Sequence, residues 1–262
     1  MPEGHTIHRA ARRQHALLAG GPVRASSPQG RFAEGAAALD GRRLERVEAA
    51  GKHLFYGFED HEVLHVHLGL FGRFREHPPE VPDPRGAVRL RLEGARGAID
   101  LSGPTACALV GPEGRAAIMA RLGPDPLRPD ADPSRMVAAL ARRRLPIGAA
   151  LLDQSIVAGI GNVYRAEILF VCGVAPEREA RAVGEDGLRA IWDVATRFLR
   201  DGVRRGRIVT TDPAEIGRPV SRMRRDERTH VYGRRSCRRC GSAIRAAVLG
   251  ARPCYWCPGC QT

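Results

Sequence analysis

The chain has 262 residues, 42 Lys and Arg against 29 Asp and Glu, a formal net charge of +13 and a pI of about 10.5. That length admits one large domain or two small ones with real cores, and the cationic excess suits a polyanion, most simply nucleic acid. No apolar run approaches the roughly 20 residues of a spanning helix and no hydrophobic leader opens the chain, so a membrane is not the expected polyanion. The seven cysteines are not laid out like a secreted disulfide scaffold, so the cytoplasm is the expected compartment.

Residues 3–19 place Ile7, Ala10, Ala11, Leu17 and Leu18 at helical spacing, closed by Gly20-Gly21, which predicts an N-terminal helix. Ahead of it stands Met1-Pro2-Glu3-Gly4. Removal of the initiator Met would leave Pro2 with a free secondary amine. An α-amino group titrates near 7.7–8.0, so on the order of a tenth of it is the free nucleophile at neutral pH. Attack by such an amine on a sugar aldehyde carbon gives an iminium, an electron sink that favours elimination at the neighbouring carbon. Glu3 beside it can shuttle protons. The plainer alternative is an ordinary helix start, with Pro in the first turn and an acid near the positive end of the dipole.

From about 22 to 120 the pattern is β. Val63-Leu-His-Val-His-Leu68 and Val88-Arg-Leu-Arg-Leu92 alternate, and Gly/Pro turns punctuate throughout. Short strands at even spacing predict a sandwich or barrel. Within this stretch lies Lys52, the one lysine among the 42 basic residues. A cation that only has to be positive can be Arg or Lys; a lone Lys amid arginines marks either compositional chance or a site that needs a compact, deprotonatable point charge.

Gly123-Pro-Asp-Pro-Leu-Arg-Pro-Asp-Ala-Asp-Pro133 breaks the β pattern and predicts a linker or hinge. Beyond it the pattern is helical: Asp132-Pro133 starts one helix, and Leu188, Ile191, Trp192, Ala195, Phe198 and Leu199 mark the core face of another. Between them runs Asp153-Gln-Ser-Ile-Val-Ala-Gly-Ile-Gly-Asn162-Val-Tyr-Arg-Ala-Glu167. Asn162 stands where a helix cap is expected, and glycine turns at a helix start offer N–H groups to a phosphate. The spacing is not GxGxxG and follows no clear strand, which excludes a dinucleotide fingerprint; a capped helical hairpin is the simpler alternative.

Fourteen Arg and four acids fall between Val203 and Arg252, and five of the seven cysteines crowd the last 26 residues. Cys237-Arg-Arg-Cys240 and Cys257-Pro-Gly-Cys260, sixteen residues apart, are two knuckles at zinc-ribbon spacing, joined by a stretch long enough for a β-hairpin. One tetrahedral structural Zn²⁺ is therefore expected on Cys237, Cys240, Cys257 and Cys260. Cys254-Tyr-Trp-Cys257 is also CxxC, but Pro-Gly suits the turn of a knuckle, so Cys254 is read as a strand residue outside the site. Arg252, near the hairpin, is either a phosphate contact or a solvated turn residue. The expected class is α+β: an N-terminal β-sandwich with flanking helices (1–122), a linker (123–133), a helical domain (134–226) and a C-terminal zinc ribbon (227–262).

The order of these pieces resembles one family. Met-Pro-Glu-Gly, Gly51-Lys52-His53-Leu54, His67-Leu-Gly-Leu70-Phe71-Gly, Asp153 through Glu167, and the terminal Cys-x2-Cys…Cys-Pro-x-Cys-Gln are similar to the Fpg/Nei DNA glycosylases, from residue 2 to 261. Pro-Glu-Gly is closer to the Nei (endonuclease VIII) branch, of actinobacterial type. The resemblance implies a monomer that clamps damaged double-stranded or partly single-stranded DNA and flips a nucleotide out of the stack. It implies that Pro2 attacks C1′ and displaces an oxidised base while Glu3 handles protons, and that β- and δ-elimination then cut the strand. Lys52 would lie near the reacting nucleotide. Asn162, in a helix–two-turn–helix element, and Arg252 would bind phosphate. Leu70 and Phe71 would wedge into the emptied stack, unless they are a packed loop pair. His67 would touch phosphate or be a strand residue. Glu167 matches a family Glu of unassigned role. The family usually reads Pro-Glu-x-Pro-Glu; here the second pair is His5-Thr6, which leaves the preference between oxidised pyrimidines and oxidised purines open.

Overall fold

The computed structural model describes residues 2–262 as two compact units, one ending at Arg121 and the other starting at Leu122. The first opens with helix α1 (Gly4–Leu18), whose face of Ile7, Ala11 and Leu18 is buried as the spacing predicts. Nine strands follow: β1 (Gly21–Pro22), β2 (Arg24–Ser26), β3 (Arg43–Ala50), β4 (His53–Phe58), β5 (Val63–His67), β6 (Arg73–His77), β7 (Val88–Gly94), β8 (Gly97–Ser102) and β9 (Ala106–Leu109). They form two antiparallel sheets, in the orders β1-β3-β4-β5-β9 and β2-β7-β8-β6. Leu54, Tyr56, Leu64 and Val66 of the first sheet share one core with Leu90, Leu92, Ile99 and Leu101 of the second and with α1, so the unit is a sandwich with a helix packed on it.

Two helices interrupt the expected run of strands, α2 (Ala33–Leu39) and α3 (Gly111–Ala120). Both escape pattern reading for the same reason. α2 buries only Ala36 and Leu39 and α3 only Ile118, so neither carries a periodic apolar face.

In the second unit the proline-rich segment is packed rather than extended in solvent. Gly123–Pro126 are buried, the Gly123 amide donates to Gln154 O, and the Ala158 amide donates to Pro124 O. Asp132 caps α4 (Pro133–Leu140) by accepting from the Ser134 amide, as its Asp-Pro sequence predicts. The short α5 (Ile147–Ala150), the turns of 151–161 and α6 (Asn162–Val171) make the helix–two-turn–helix element. α7 (Glu185–Arg205) buries Leu188, Ile191, Trp192, Ala195, Phe198 and Leu199 against α4 and α6. A single turn, α8 (Pro213–Ile216), leads to the hairpin β10 (Arg245–Leu249) and β11 (Arg252–Trp256). No helix among the described residues is long and apolar enough to cross a membrane.

Candidate functional site

Met1 lies outside the described residues, so the state of the amine at Pro2 does too. Glu3 is the residue ahead of α1, with extended backbone (φ −120°, ψ 176°), and it is completely buried. An acid that only served the helix dipole would sit in solvent; burial of a carboxyl at an N-terminus is costly unless its environment uses the charge or the proton. Pro2, Thr6 and Arg9 line a cavity of about 660 Å³ together with Leu68, Leu70 and Phe74. Pro2 and Leu70, one residue of the expected wedge, therefore line one cavity of the first unit.

The wedge loop is shaped by two glycines. Gly69 has φ +64°, and a Cβ there would lie 1.8 Å from Thr105 Oγ1; at Gly72 it would lie 2.3 Å from Leu68 O. The Gly72 amide closes the loop on Leu68 O at 2.9 Å. Between these fixed points Leu70 and Phe71 turn outward, 45% and 85% exposed. A packed loop pair would be buried; burying an aromatic side chain is worth about 1.5–3 kcal/mol, which this loop forgoes.

Lys52 is half-buried in the two-residue turn between β3 and β4. On the same outward sheet face the cross-strand pair His53 and His67 lies beside His65 and Phe55. His53 Nδ1 and His65 Nε2 are 2.8 Å apart, and the His53 and His67 rings lie 4.8 Å apart. Burial, then the neighbouring imidazoles, Arg121 and Lys52, lower His53 to about 3; burial, His67 and Arg121 lower His65 to about 4. Burial and Lys52 lower His67 as well. All three imidazoles are neutral at physiological pH.

In the second unit the four cysteine sulfurs of 237, 240, 257 and 260 all lie within 4.8 Å of one another, with Cys240 and Cys257 at 3.3 Å and Cys237 and Cys260 at 3.9 Å. Tetrahedral Zn–S bonds of about 2.3 Å put sulfurs about 3.8 Å apart, so the donor set fits such an ion. Cys254 is completely buried on β11, outside this cluster. The hairpin turn is Gly250-Ala251, both at positive φ (62° and 60°), and Arg252 starts the strand after it, half-buried.

Asn162 does not cap α6. Gly161 takes the cap position, and Asn162 is the first helical residue, 3% exposed. Its side chain is turned to the hairpin instead: Nδ2 donates to Pro253 O at 3.0 Å and Oδ1 accepts from Arg165 Nη2 at 2.5 Å. Arg165 is fully buried and also donates to Gly148 O, Leu249 O, Arg252 O and Pro253 O. One guanidinium thus ties α5, α6 and both strands of the hairpin, and the carbonyls around the turn offset its desolvation.

The chain matches the model of the formamidopyrimidine-DNA glycosylase N-terminal domain over residues 1–103 and that of the formamidopyrimidine-DNA glycosylase H2TH domain over 122–213. It is 47% identical to Endonuclease 8 1 of Mycobacterium tuberculosis over the whole of both chains. It is 32% identical to the formamidopyrimidine-DNA glycosylase of Laribacter hongkongensis, over 86% of this chain and 84% of that one. This chain belongs to the Fpg/Nei family of DNA glycosylases. A structure of MutM in complex with DNA containing carbocyclic 8-oxo-G shares its fold over 100% of both chains, with a TM-score of 0.81 at 22% identity.

Sequence reasoning named Glu167 without a role, quoted His53 only as part of a motif, and gave Arg165 and His65 no role. Glu167 is a buried acceptor. Its Oε1 takes the amides of Val231 and Tyr232, and its Oε2 takes the His230 amide and the Thr210 hydroxyl. An Fpg/Nei glycosylase of this sequence therefore registers its ribbon on α6 from two sides, through Arg165 and Glu167. The signal was present: a buried Arg and a buried Glu two residues apart on an otherwise apolar helix need partners from elsewhere in the chain.

Proposed function

We propose that this glycosylase is bifunctional, with AP lyase activity carried by Pro2, and that it favours oxidised pyrimidines. The reading rests above all on the fully buried Glu3 that follows Pro2, the residue lining the 660 Å³ cavity. With Met1 removed, the Pro2 nitrogen attacks C1′ of a flipped nucleotide. The glycosidic C1′–N bond breaks and the base leaves with a proton relayed through Glu3; the sugar ring then opens at C1′–O4′, O4′ takes up a proton, and the new C1′–N bond to Pro2 becomes an iminium. Loss of the C2′ proton expels the 3′ phosphate (β-elimination), and a second elimination expels the 5′ phosphate. Lys52, a compact ammonium on a half-buried turn, serves the reacting nucleotide and its phosphate.

The DNA partner is read from the net charge of +13 and from the outward Leu70 and Phe71, which suit a duplex emptied of one base. His67, Asn162 and Arg252 are proposed as phosphate contacts. At Asn162 only the second Nδ2 hydrogen or the α6 backbone would serve, since its other polar groups are engaged. Zn²⁺ is the proposed ion of the four-cysteine site, with a structural role. The preference for pyrimidines is supported by 47% identity to an endonuclease 8 against 32% to a formamidopyrimidine-DNA glycosylase. Thr6 in place of a second Glu keeps an oxidised-purine preference as the competing outcome.

Borohydride reduction in the presence of abasic-site DNA tests the imine. Covalent trapping is expected with the parent, and weaker trapping with Pro2→Gly, which keeps an amine but loses the secondary iminium. Undiminished trapping by that variant removes Pro2 from the mechanism. Running the same assay over duplexes bearing oxidised pyrimidines and purines ranks the substrates.

A further inference from the structure

The proposed function uses Lys52 and His67 but not the imidazoles packed against them. His53 is the cross-strand partner of His67, and its ring also stacks on His65 at 5.0 Å, which in turn stacks on Phe55 at 5.2 Å. The face around this column is cationic. Lys52 stands in the turn before β4, Arg115 of α3 lies over the Phe55 ring, and Arg121 follows α3. The carboxylate facing the group from β3, Glu48, is engaged by Arg46 and Arg115. β9 contributes Ala106 and Ala108 to this face, so it adds no charge there.

The 2.8 Å contact between His53 Nδ1 and His65 Nε2 requires one ring to donate and the other to accept. Such a pair takes one added proton on an outer nitrogen and gains a charge-assisted bond; a second proton would break it. His65 is buried, whereas His53 is only half-buried, so the outer nitrogen within reach of a ligand is that of His53.

We propose that His53, backed by His65, binds a backbone phosphodiester beside Lys52 and His67, and that this binding takes up a proton. The inference rests on the DNA-binding reading of this chain. In the free protein, burial and the cationic neighbours keep the imidazoles neutral, His53 near 3 and His65 near 4. An anion within about 4–6 Å raises such a group by about 1–3 units. The bound state then holds more protons than the free state, so affinity rises as pH falls from about 6 towards about 4.

The test is titration calorimetry of the full zinc-loaded protein with a duplex carrying a non-cleavable abasic analogue, at pH 6.0 in two buffers of different ionisation enthalpy. The parent is expected to take up a fraction of a proton, at most about half, per duplex bound. His53→Gln should lose that uptake and bind about tenfold more weakly. His53→Arg, permanently charged, should restore affinity to within about threefold yet show no uptake and a flat pH dependence. His65→Leu should keep the contact and lose most of the uptake. Thermal unfolding of each variant separates misfolding from lost contact, and if His53→Gln unfolds, the Arg variant decides. No uptake by the parent, or undiminished uptake in both His53 variants, overturns the inference. Borohydride trapping in parallel keeps the two readings apart: trapping without proton uptake sinks only the role of His53, while absence of trapping sinks the lyase.

Discussion

A carboxyl at the start of a helix has two reasons to exist, and exposure separates them. A dipole partner gains about 0.3–1 kcal/mol and sits in water. Glu3 is completely buried, beside Pro2 and at the head of α1. Glu3→Gln keeps the shape and removes the proton. Excision of a damaged base by that variant should fall by about 10²–10⁴, the usual worth of a positioned acid/base. Duplex affinity should stay within a few-fold, because no phosphate contact is lost. Single-turnover excision rates beside separately measured affinity check this; near-parental excision would return Glu3 to the role of a helix-end residue. The chemistry proposed at this position was read from the sequence alone, because an N-terminal proline and an adjacent acid have reactivity that does not depend on fold. The wedge role proposed for Leu70 and Phe71 came only through resemblance, since a Leu-Phe pair between glycines reads equally as packing until its exposure is known. Asn162 was misread for a related reason. Asn after Gly-Ile-Gly satisfies the local rules for a cap, but Arg165 and the Pro253 carbonyl, 91 residues on, claim its side chain.

Elements with a strong period declared themselves and those without one did not. α7 shows every core position in its sequence, whereas α3 buries one residue and reads as part of the β run. The ribbon was legible because metal geometry fixes ligand spacing regardless of packing. What spacing could not supply is how the hairpin is held. Buried charges do that: Arg165 on its turn carbonyls and Glu167 on the amides of 230–232. Cys254 offers a sharp check of the ligand choice. Its thiol is buried on the strand face shared with Trp256, and burial raises it above its ordinary value. Cys254→Ser should retain one metal equivalent and pay only a packing cost of about 1–3 kcal/mol for burying a hydroxyl. Cys257→Ser should lose the metal, unfold the hairpin and weaken DNA binding. Metal content by elemental analysis, with thermal unfolding, reads both; a metal-free Cys254 variant beside a metal-loaded Cys257 variant would reassign the knuckle.

At the scale of the whole molecule the charge is unevenly used. Of the fourteen arginines between Val203 and Arg252, ten are exposed and none is buried, while the fully buried Arg165 belongs to the scaffold. A cationic surface on this scale contributes affinity without sequence information, because it meets phosphates that every duplex presents. On the proposed reading, recognition of damage comes from the few residues around Pro2 and from Leu70 and Phe71, which meet a flipped nucleotide and the gap it leaves. The two contributions separate in salt. The slope of log affinity against log salt counts phosphates and should be the same, within about one unit, for an abasic-analogue duplex and an undamaged one. The two lines should be offset vertically by the lesion preference. Phe71→Ala should shrink that offset and leave the slope alone, since an aromatic wedge releases no counterions. Arg252→Ala should do the reverse, lowering the slope by about one unit on both duplexes with the offset kept. Fluorescence anisotropy from low to moderate salt on both duplexes measures all of this. A slope that differs by several units between damaged and undamaged DNA would mean that lesion binding recruits new phosphate contacts, and the division between a general cationic surface and a local damage reader would fail.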